Sequence, residues 1–272
     1  MIPARYAAYC PNCGGEVESE RLAAGLACAR CQPDPAKPPL AGALARFFAQ
    51  EEALADWARF FAAHVGAPPW PLQRAWAARV VQGRSFAMLA PTGIGKTTFG
   101  LLTALWLARE GRRSYLVFPT RLLVAQAAER LRALGAPFVA YTGKPKEKEA
   151  LLEGERPIGL FTVAFLYKNH ARLPRPVDFL FVDDVDSLLK SARNVDRVLE
   201  LLGFTPEDLE KGLSLIRLRR KNPEEAERMA EGLRRKARGV LAVASATARP
   251  RSPRVHLFRE LLGFEVGTPS FA

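Results

Sequence analysis

The 272-residue sequence has no apolar run approaching the ~18 residues that a helix needs to cross a bilayer. Its first stretch, Met1 to Cys10, lacks the apolar centre of a secretory signal. The expected setting is therefore the cytoplasm, with no membrane partner. Histidine is scarce: His64, His170 and His256 are scattered and form no metal-binding or nucleophile-activating pattern. Cysteine is confined to Cys10, Cys13, Cys28 and Cys31. Acidic residues are in deficit. There are 28 Asp and Glu against 40 Lys and Arg, giving a net charge of +12 and a pI near 10. A chain this basic favours a polyanionic partner, and nucleic acid is the commonest one. The basic residues are 30 Arg and only 10 Lys, a bias that a GC-rich genome also produces.

What is present falls into three stretches. Residues 1–39 hold every cysteine and end in the breaker-rich run Gln32-Pro33-Asp34-Pro35-Ala36-Lys37-Pro38-Pro39, which reads as a small module and a stiff linker. Residues 40–84 carry Leu44, Phe47, Phe48, Leu54, Trp57, Phe60 and Phe61 at helical spacing. After the break Gly66-Ala67-Pro68-Pro69, a further helical stretch runs over 72–81. From residue 85 to 272, short apolar runs alternate with helical patterns. Strands are predicted at 86–90, 114–118, 138–141, 158–161, 179–182 and 240–244, and helices between them at 97–109 and 122–134. This alternation predicts an α/β domain of parallel strands joined by helical crossovers. The charged stretch 222–238 reads as an exposed helix.

Residues 90–97 read Ala-Pro-Thr-Gly-Ile-Gly-Lys-Thr, between a predicted strand and a predicted helix. Glycines there let backbone amides converge on phosphate oxygens, and the helix N-terminus adds favourable partial charge. The expected contacts run from Pro91, Thr92, Gly93, Ile94 and Gly95 to Lys96, Thr97 and Thr98. In this role Lys96 reaches the β- and γ-phosphates, and Thr97 offers its hydroxyl to magnesium. The loop therefore predicts a nucleoside triphosphate, ATP with Mg2+. The structural alternative is a chance glycine turn before a helix.

Such a loop needs a carboxylate at a nearby strand end. Phe179-Leu180-Phe181-Val182 is followed by Asp183-Asp184-Val185-Asp186. Ligands of open α/β sheets bind at the carboxyl ends of strands. Asp183 is the expected magnesium-side residue and Asp184 the polariser of the attacking water, so Lys96, Asp183 and Asp184 form the catalytic set. Pro119, Thr120 and Arg121 stand at another strand end, suited to a nucleic-acid backbone. Ser245, Ala246 and Thr247 follow the last strand and suit coupling of nucleotide to motion. The amide of Gln73 suits an adenine edge. Each of these three is weak alone; their order along the chain gives them weight. The short basic runs Arg217-Leu218-Arg219-Arg220-Lys221 and Arg234-Arg235-Lys236 suit either phosphates or a solvated helix face.

Cys10-x2-Cys13 and Cys28-x2-Cys31 lie 14 residues apart. Two such pairs read as a four-thiolate zinc site. A segment so small buries too little apolar area to fold alone, so the metal would supply its stability. Two disulfides or four free thiols are the alternatives, and a reducing compartment disfavours the disulfides.

Taken together, Gln73, Ala90–Thr97, Pro119-Thr120-Arg121, Asp183–Asp186 and Ser245–Thr247 resemble the motifs of a superfamily 2 helicase core. Ala90–Gly100, Val182–Lys190 with Asn194-Val195-Asp196, and Leu257–Phe264 resemble reverse gyrase. That family joins a helicase-like module to a type IA topoisomerase and introduces positive supercoils into DNA using ATP. The resemblance implies a zinc ribbon, a helical segment and a first RecA-like domain, with DNA as partner. It also implies that arginines from a second RecA-like domain complete the ATP site. The sequence stops at Ala272, where the first such domain would end. The second RecA-like and topoisomerase domains are therefore expected on a separate chain or not at all. The aromatic that the family places eight residues before the adenine-reading Gln is Val65 here, with Phe61 and Trp70 nearby in sequence. The expectation is an ATP- and DNA-binding module, slow or inactive as an ATPase alone. The rivals are a remnant that only binds DNA or a partner, and a small ATPase completed by a second copy.

Overall fold

The computed structural model describes residues 4–245 and 253–266. It divides into two compact units, Met1–Arg59 and Phe60–Ala272.

In the first unit, β1 (Arg5–Tyr6) pairs antiparallel with β2 (Val17–Glu18), and α1 (Ser19–Ala23) follows. The apolar cluster around the cysteines is small: Cys10, Val17, Ala27 and Cys28, with Leu22 and Cys31 packed against it. Polar side chains do much of the fastening. Gln32 accepts from the Ala27 amide at 2.9 Å and donates to the Lys37 carbonyl at 2.9 Å. Asn12 donates to the Ala41 carbonyl and accepts from the Leu44 amide at 2.9 Å. The Leu40 amide donates to the Cys31 carbonyl at 2.8 Å, so the proline-rich run is tied back to the cysteines. The division between units falls within α2 (Ala43–Val65), one continuous helix over the aromatic-rich stretch.

The second unit is built on six parallel strands: β3 (Phe86–Leu89), β4 (Ser114–Phe118), β5 (Phe138–Ala140), β6 (Ile158–Thr162), β7 (Phe179–Val182) and β8 (Val240–Ser245). Their order across the sheet is β3-β8-β7-β4-β6-β5. Every residue of β4, β6, β7 and β8 is buried, as expected of strands covered on both faces. The edge strand β5 is only partly buried and is one residue shorter than its apolar run predicts. The covering helices are α3 (Pro71–Val81), α4 (Lys96–Ala108), α5 (Arg121–Ala133), α6 (Pro145–Glu153) and α7 (Val163–Asn169).

The path from β7 to β8 is long. It passes through α8 (Val185–Leu189), α9 (Ala192–Leu201), α10 (Pro206–Leu218) and α11 (Pro223–Arg234), and α12 (Leu257–Leu262) packs beside the last two. The charged stretch at 222–238 proves amphipathic, since α11 buries Ala226 and Ala230. Three residues of the basic runs are committed internally, and one of them, Lys236, pairs with the buried Asp208. Arg219 grips the fully buried Glu260 with Nε on Oε1 at 2.9 Å and Nη2 on Oε2 at 2.7 Å, and also pairs with Glu227. Arg234 pairs with Glu227 and donates to the Arg259 carbonyl. A buried carboxylate needs such compensation. Burial pushes the Glu260 carboxyl upward, and the two guanidiniums of Arg219 and Arg259 more than reverse this, holding it below its usual range. Among the described residues, no helix is long and apolar enough to cross a membrane.

Candidate nucleotide site and metal centre

β3 ends at Leu89 and the chain turns through Ala90–Gly95 into α4. Gly93 and Gly95 adopt φ of +87° and +86°, a region that a side chain makes costly. At Gly95 a Cβ would also lie 2.8 Å from Gln73 Nε2, so the Gln73 amide would have to move. The loop thus brings backbone amides to the start of a 13-residue helix.

Side chains from the loop helix and from the turn after β7 converge here. Lys96 opens α4, and its ammonium donates to the Ala90 carbonyl and, at 2.8 Å, to that of Pro91. Thr97 Oγ1 donates to Asp183 Oδ2 at 3.0 Å, across 86 positions of sequence. This bond joins the loop helix to the carboxylate strand. Burial pushes the Asp183 carboxyl above its ordinary value, with the Thr97 hydroxyl and the Lys96 charge opposing the shift. Burial also lowers the Lys96 ammonium, with Asp183 opposing. A buried carboxylate that one hydroxyl and one ammonium do not fully compensate is a ready ligand for a divalent cation. Thr98 is half-buried in the first turn of α4, and Pro91 and Thr92 are exposed.

Asp184 is strained. Its φ is +61°, uncommon for a residue with a side chain, and Ser187 Oγ donates to its Oδ2 at 2.8 Å. Asp186, whose role no local motif signals, accepts from Ser245 Oγ at 3.1 Å. Topology explains this contact: β8 lies between β3 and β7, so Ser245 ends beside both the phosphate loop and the acidic turn. Ala246 and Thr247 lie outside the described residues. Asp196 holds Arg254 through both carboxylate oxygens, at 2.6 and 2.5 Å. Neither pairing leaves a local sequence signal.

Gln73 is buried against the loop. Its Nε2 donates to the Ile94 carbonyl at 3.3 Å and its Oε1 accepts from the Trp70 amide at 3.0 Å. Of the two aromatics near it in sequence, Phe61 is buried and Trp70 is 58% exposed. At the end of β4, Thr120 Oγ1 caps α5 by accepting from the Leu123 amide at 3.3 Å. Arg121 lies 5.7 Å from the centre of the Tyr141 ring, and Pro119 is partly buried ahead of them.

In the first unit, the sulfurs of Cys10, Cys13, Cys28 and Cys31 all lie within 4.8 Å of one another. Cys13 and Cys28 Sγ are 3.9 Å apart, too far for a disulfide and close to the ~3.8 Å edge of a tetrahedron with ~2.3 Å zinc–sulfur bonds. Burial raises the Cys10 thiol, but the amides of Cys28, Cys13 and Asn12 outweigh this and bring it to about 6. Amides aimed at a sulfur favour the thiolate that zinc requires. Four convergent sulfurs, one of them so stabilised, fit a zinc ion.

A parallel sheet with a glycine-rich phosphate loop after β3 and a carboxylate after β7 defines the RecA-like helicase class of P-loop proteins. Residues 70–253 match the DEAD/DEAH box helicase family, to which the chain therefore belongs, and residues 1–42 match the reverse gyrase zinc finger. The chain is 48% identical over 293 residues to reverse gyrase 1 of Aquifex aeolicus, a match spanning 99% of this chain and 26% of that protein. It is 34% identical over 320 residues to reverse gyrase of Thermococcus kodakarensis, spanning 98% of this chain and 19% of that protein. The chain thus covers about a quarter or less of the length of these relatives. Its fold is similar to that of a DEAD box protein from Methanococcus jannaschii, with a TM-score of 0.51 at 16% identity, covering 80% of this chain and 54% of that one.

Proposed function

We propose that this chain is the ATP- and DNA-binding, helicase-like module of a reverse gyrase, contributing to positive supercoiling of DNA. The observation that carries the reading is the Thr97–Asp183 hydrogen bond, with Lys96 held over the same loop. Backbone amides from Pro91 to Thr98 receive the phosphates, and Lys96 reaches the β- and γ-phosphates. Thr97 and Asp183 hold magnesium, which when bound offsets charge on the phosphate oxygens. Asp184, fixed by Ser187, orients the attacking water. Gln73 keeps a second amide proton for an adenine edge while its first holds the loop. Pro119, Thr120 and Arg121 meet the DNA backbone, and Ser245, Ala246 and Thr247 couple the nucleotide to motion. The zinc ribbon supports the module or touches DNA. The compartment is the cytoplasm.

These 272 residues form one wall of the catalytic cleft. An arginine supplied from the opposite wall is worth ~10³–10⁵ in rate in related phosphoryl transfers. These residues by themselves should therefore bind ATP and hydrolyse it slowly. A steady-state ATPase assay with and without DNA tests this. Little turnover and little stimulation are expected; robust DNA-stimulated turnover by a monomer contradicts it. The rival reading is a module that only binds DNA or a partner. The intact Lys96, Thr97 and Asp183 geometry favours the nucleotide reading over it.

A further inference from the structure

The edge of the sheet opposite the nucleotide site is unusually basic. Arg84, Arg112, Arg113, Arg156, Arg175, Lys236 and Arg238 fall within the four residues that precede the six parallel strands, against the acids Glu110, Glu155 and Asp178. Arg84, Arg156, Arg175 and Arg238 are exposed, and none forms an ion pair among the described residues. The strand order places Arg84, Arg238, Arg175, Arg112 with Arg113, and Arg156 in line along that edge. Two clefts open there. One, of about 350 Å³, is lined by Arg79, Arg84 and Arg234. The other, of about 300 Å³, is lined by Arg175 and Arg238, with Glu200 on its wall. Burial, and then the like charge of Arg84, hold Arg79 below its ordinary value, while Arg234 in the same cleft pairs with Glu227.

A parallel sheet returns its helices so that their C-termini point at this same edge. Each such end carries about half a negative charge. Those ends already hold Arg79, Arg130, Arg132 and Arg234 in their last turns. The arginines of the strand approaches come in addition.

We propose that this edge is a second DNA-binding face that follows the phosphate backbone of a duplex. From β3 to β5 the edge spans about 24 Å at ~4.8 Å per strand, the length of about seven base pairs. The proposal rests on the DNA-binding reading above but concerns a different surface from Pro119–Arg121. Exposed guanidiniums in a row read no bases, so the face adds affinity and register rather than sequence preference.

The test measures affinity of the full chain for a 20-base-pair duplex across a range of salt, without nucleotide. The variant Arg84→Gln/Arg156→Gln/Arg175→Gln/Arg238→Gln is compared with Arg121→Gln at the other edge, and circular dichroism confirms that both fold. The expected result is a slope of log affinity against log salt that falls by roughly three to four in the quadruple variant and by about one in Arg121→Gln. The double variant Arg84→Gln/Arg238→Gln, expected to lose about two, keeps the test available if the quadruple variant fails to fold. An unchanged slope in the base-edge variants, with a reduced one in Arg121→Gln, overturns the second face and leaves the DNA-binding reading intact. Arginines that merely offset helix ends would lower the melting temperature without moving the slope, which also overturns it. No duplex binding by the unaltered chain overturns both.

Discussion

Asp183 carries opposing demands. Its carboxylate is buried, with one hydroxyl and one nearby ammonium for compensation, and its acid strength is weakened accordingly. Folding therefore favours its protonated form. A carboxyl whose pKa is raised by folding adds most to stability at low pH, and that contribution is lost as pH rises from 3.8 through the folded-state value. At pH 7 the ionised group is a cost to the fold that magnesium would offset. Asp183→Asn should thus melt at or above the temperature of the unaltered chain, measured without metal. Its affinity for ATP in magnesium should fall by roughly tenfold or more, the worth of one charge-assisted contact. A lower melting temperature with unchanged affinity would show that the residue serves packing. The same scale explains what the sequence reveals of the site. Lys96 and Thr97 are legible because one loop carries their whole context. The Asp186–Ser245 and Asp196–Arg254 pairs span 59 and 58 positions, and nothing local announces them.

Among the elements, α4 shows how the site depends on packing. Gly100 lies mid-helix, where alanine is ordinarily better by about 1 kcal/mol. Here a Cβ would stand 2.8 Å from the ring of Phe181 on β7, the strand that delivers Asp183. Gly100→Ala is expected to destabilise the chain by about 1–3 kcal/mol in urea unfolding, the range for an overpacked core. A stabilised variant would contradict this contact. The same elements differ in how openly the sequence declares them. β4 and β7 are continuous apolar runs because helices cover both their faces, and such runs stand out. α11 hides its buried side behind Ala226 and Ala230, so its charges dominate the pattern and suggest a fully solvated helix. β1 and β2 are two residues each, too short for any periodicity. Arg219 reads as part of a basic run, yet its partner Glu260 lies 41 positions away.

For the whole molecule, two kinds of cohesion operate. The second unit stands on a sheet buried on both faces. In the cysteine-bearing part of the first unit, the buried apolar cluster adds only Val17 and Ala27 to Cys10 and Cys28 of the four-sulfur group. The stability of that part should be metal-borne. One zinc per chain is expected by elemental analysis, and a strong chelator should remove amide-exchange protection from residues 4–40. Protection that survives complete loss of zinc would show that Gln32 and Asn12 suffice as fasteners. Charge is also divided across the molecule. The carboxyl edge of the sheet holds Asp183, Asp184 and Asp186 beside the phosphate loop, and the opposite edge gathers arginine.

The nucleotide claim stands or falls on calorimetric titration of ATP with magnesium into the 272-residue chain and into Lys96→Ala. One binding site per chain is predicted, with binding lost in the variant while its circular dichroism is unchanged. Absence of binding in the unaltered chain, or equal affinity in Lys96→Ala, would contradict the assignment of Ala90–Thr97 as an ATP-binding loop.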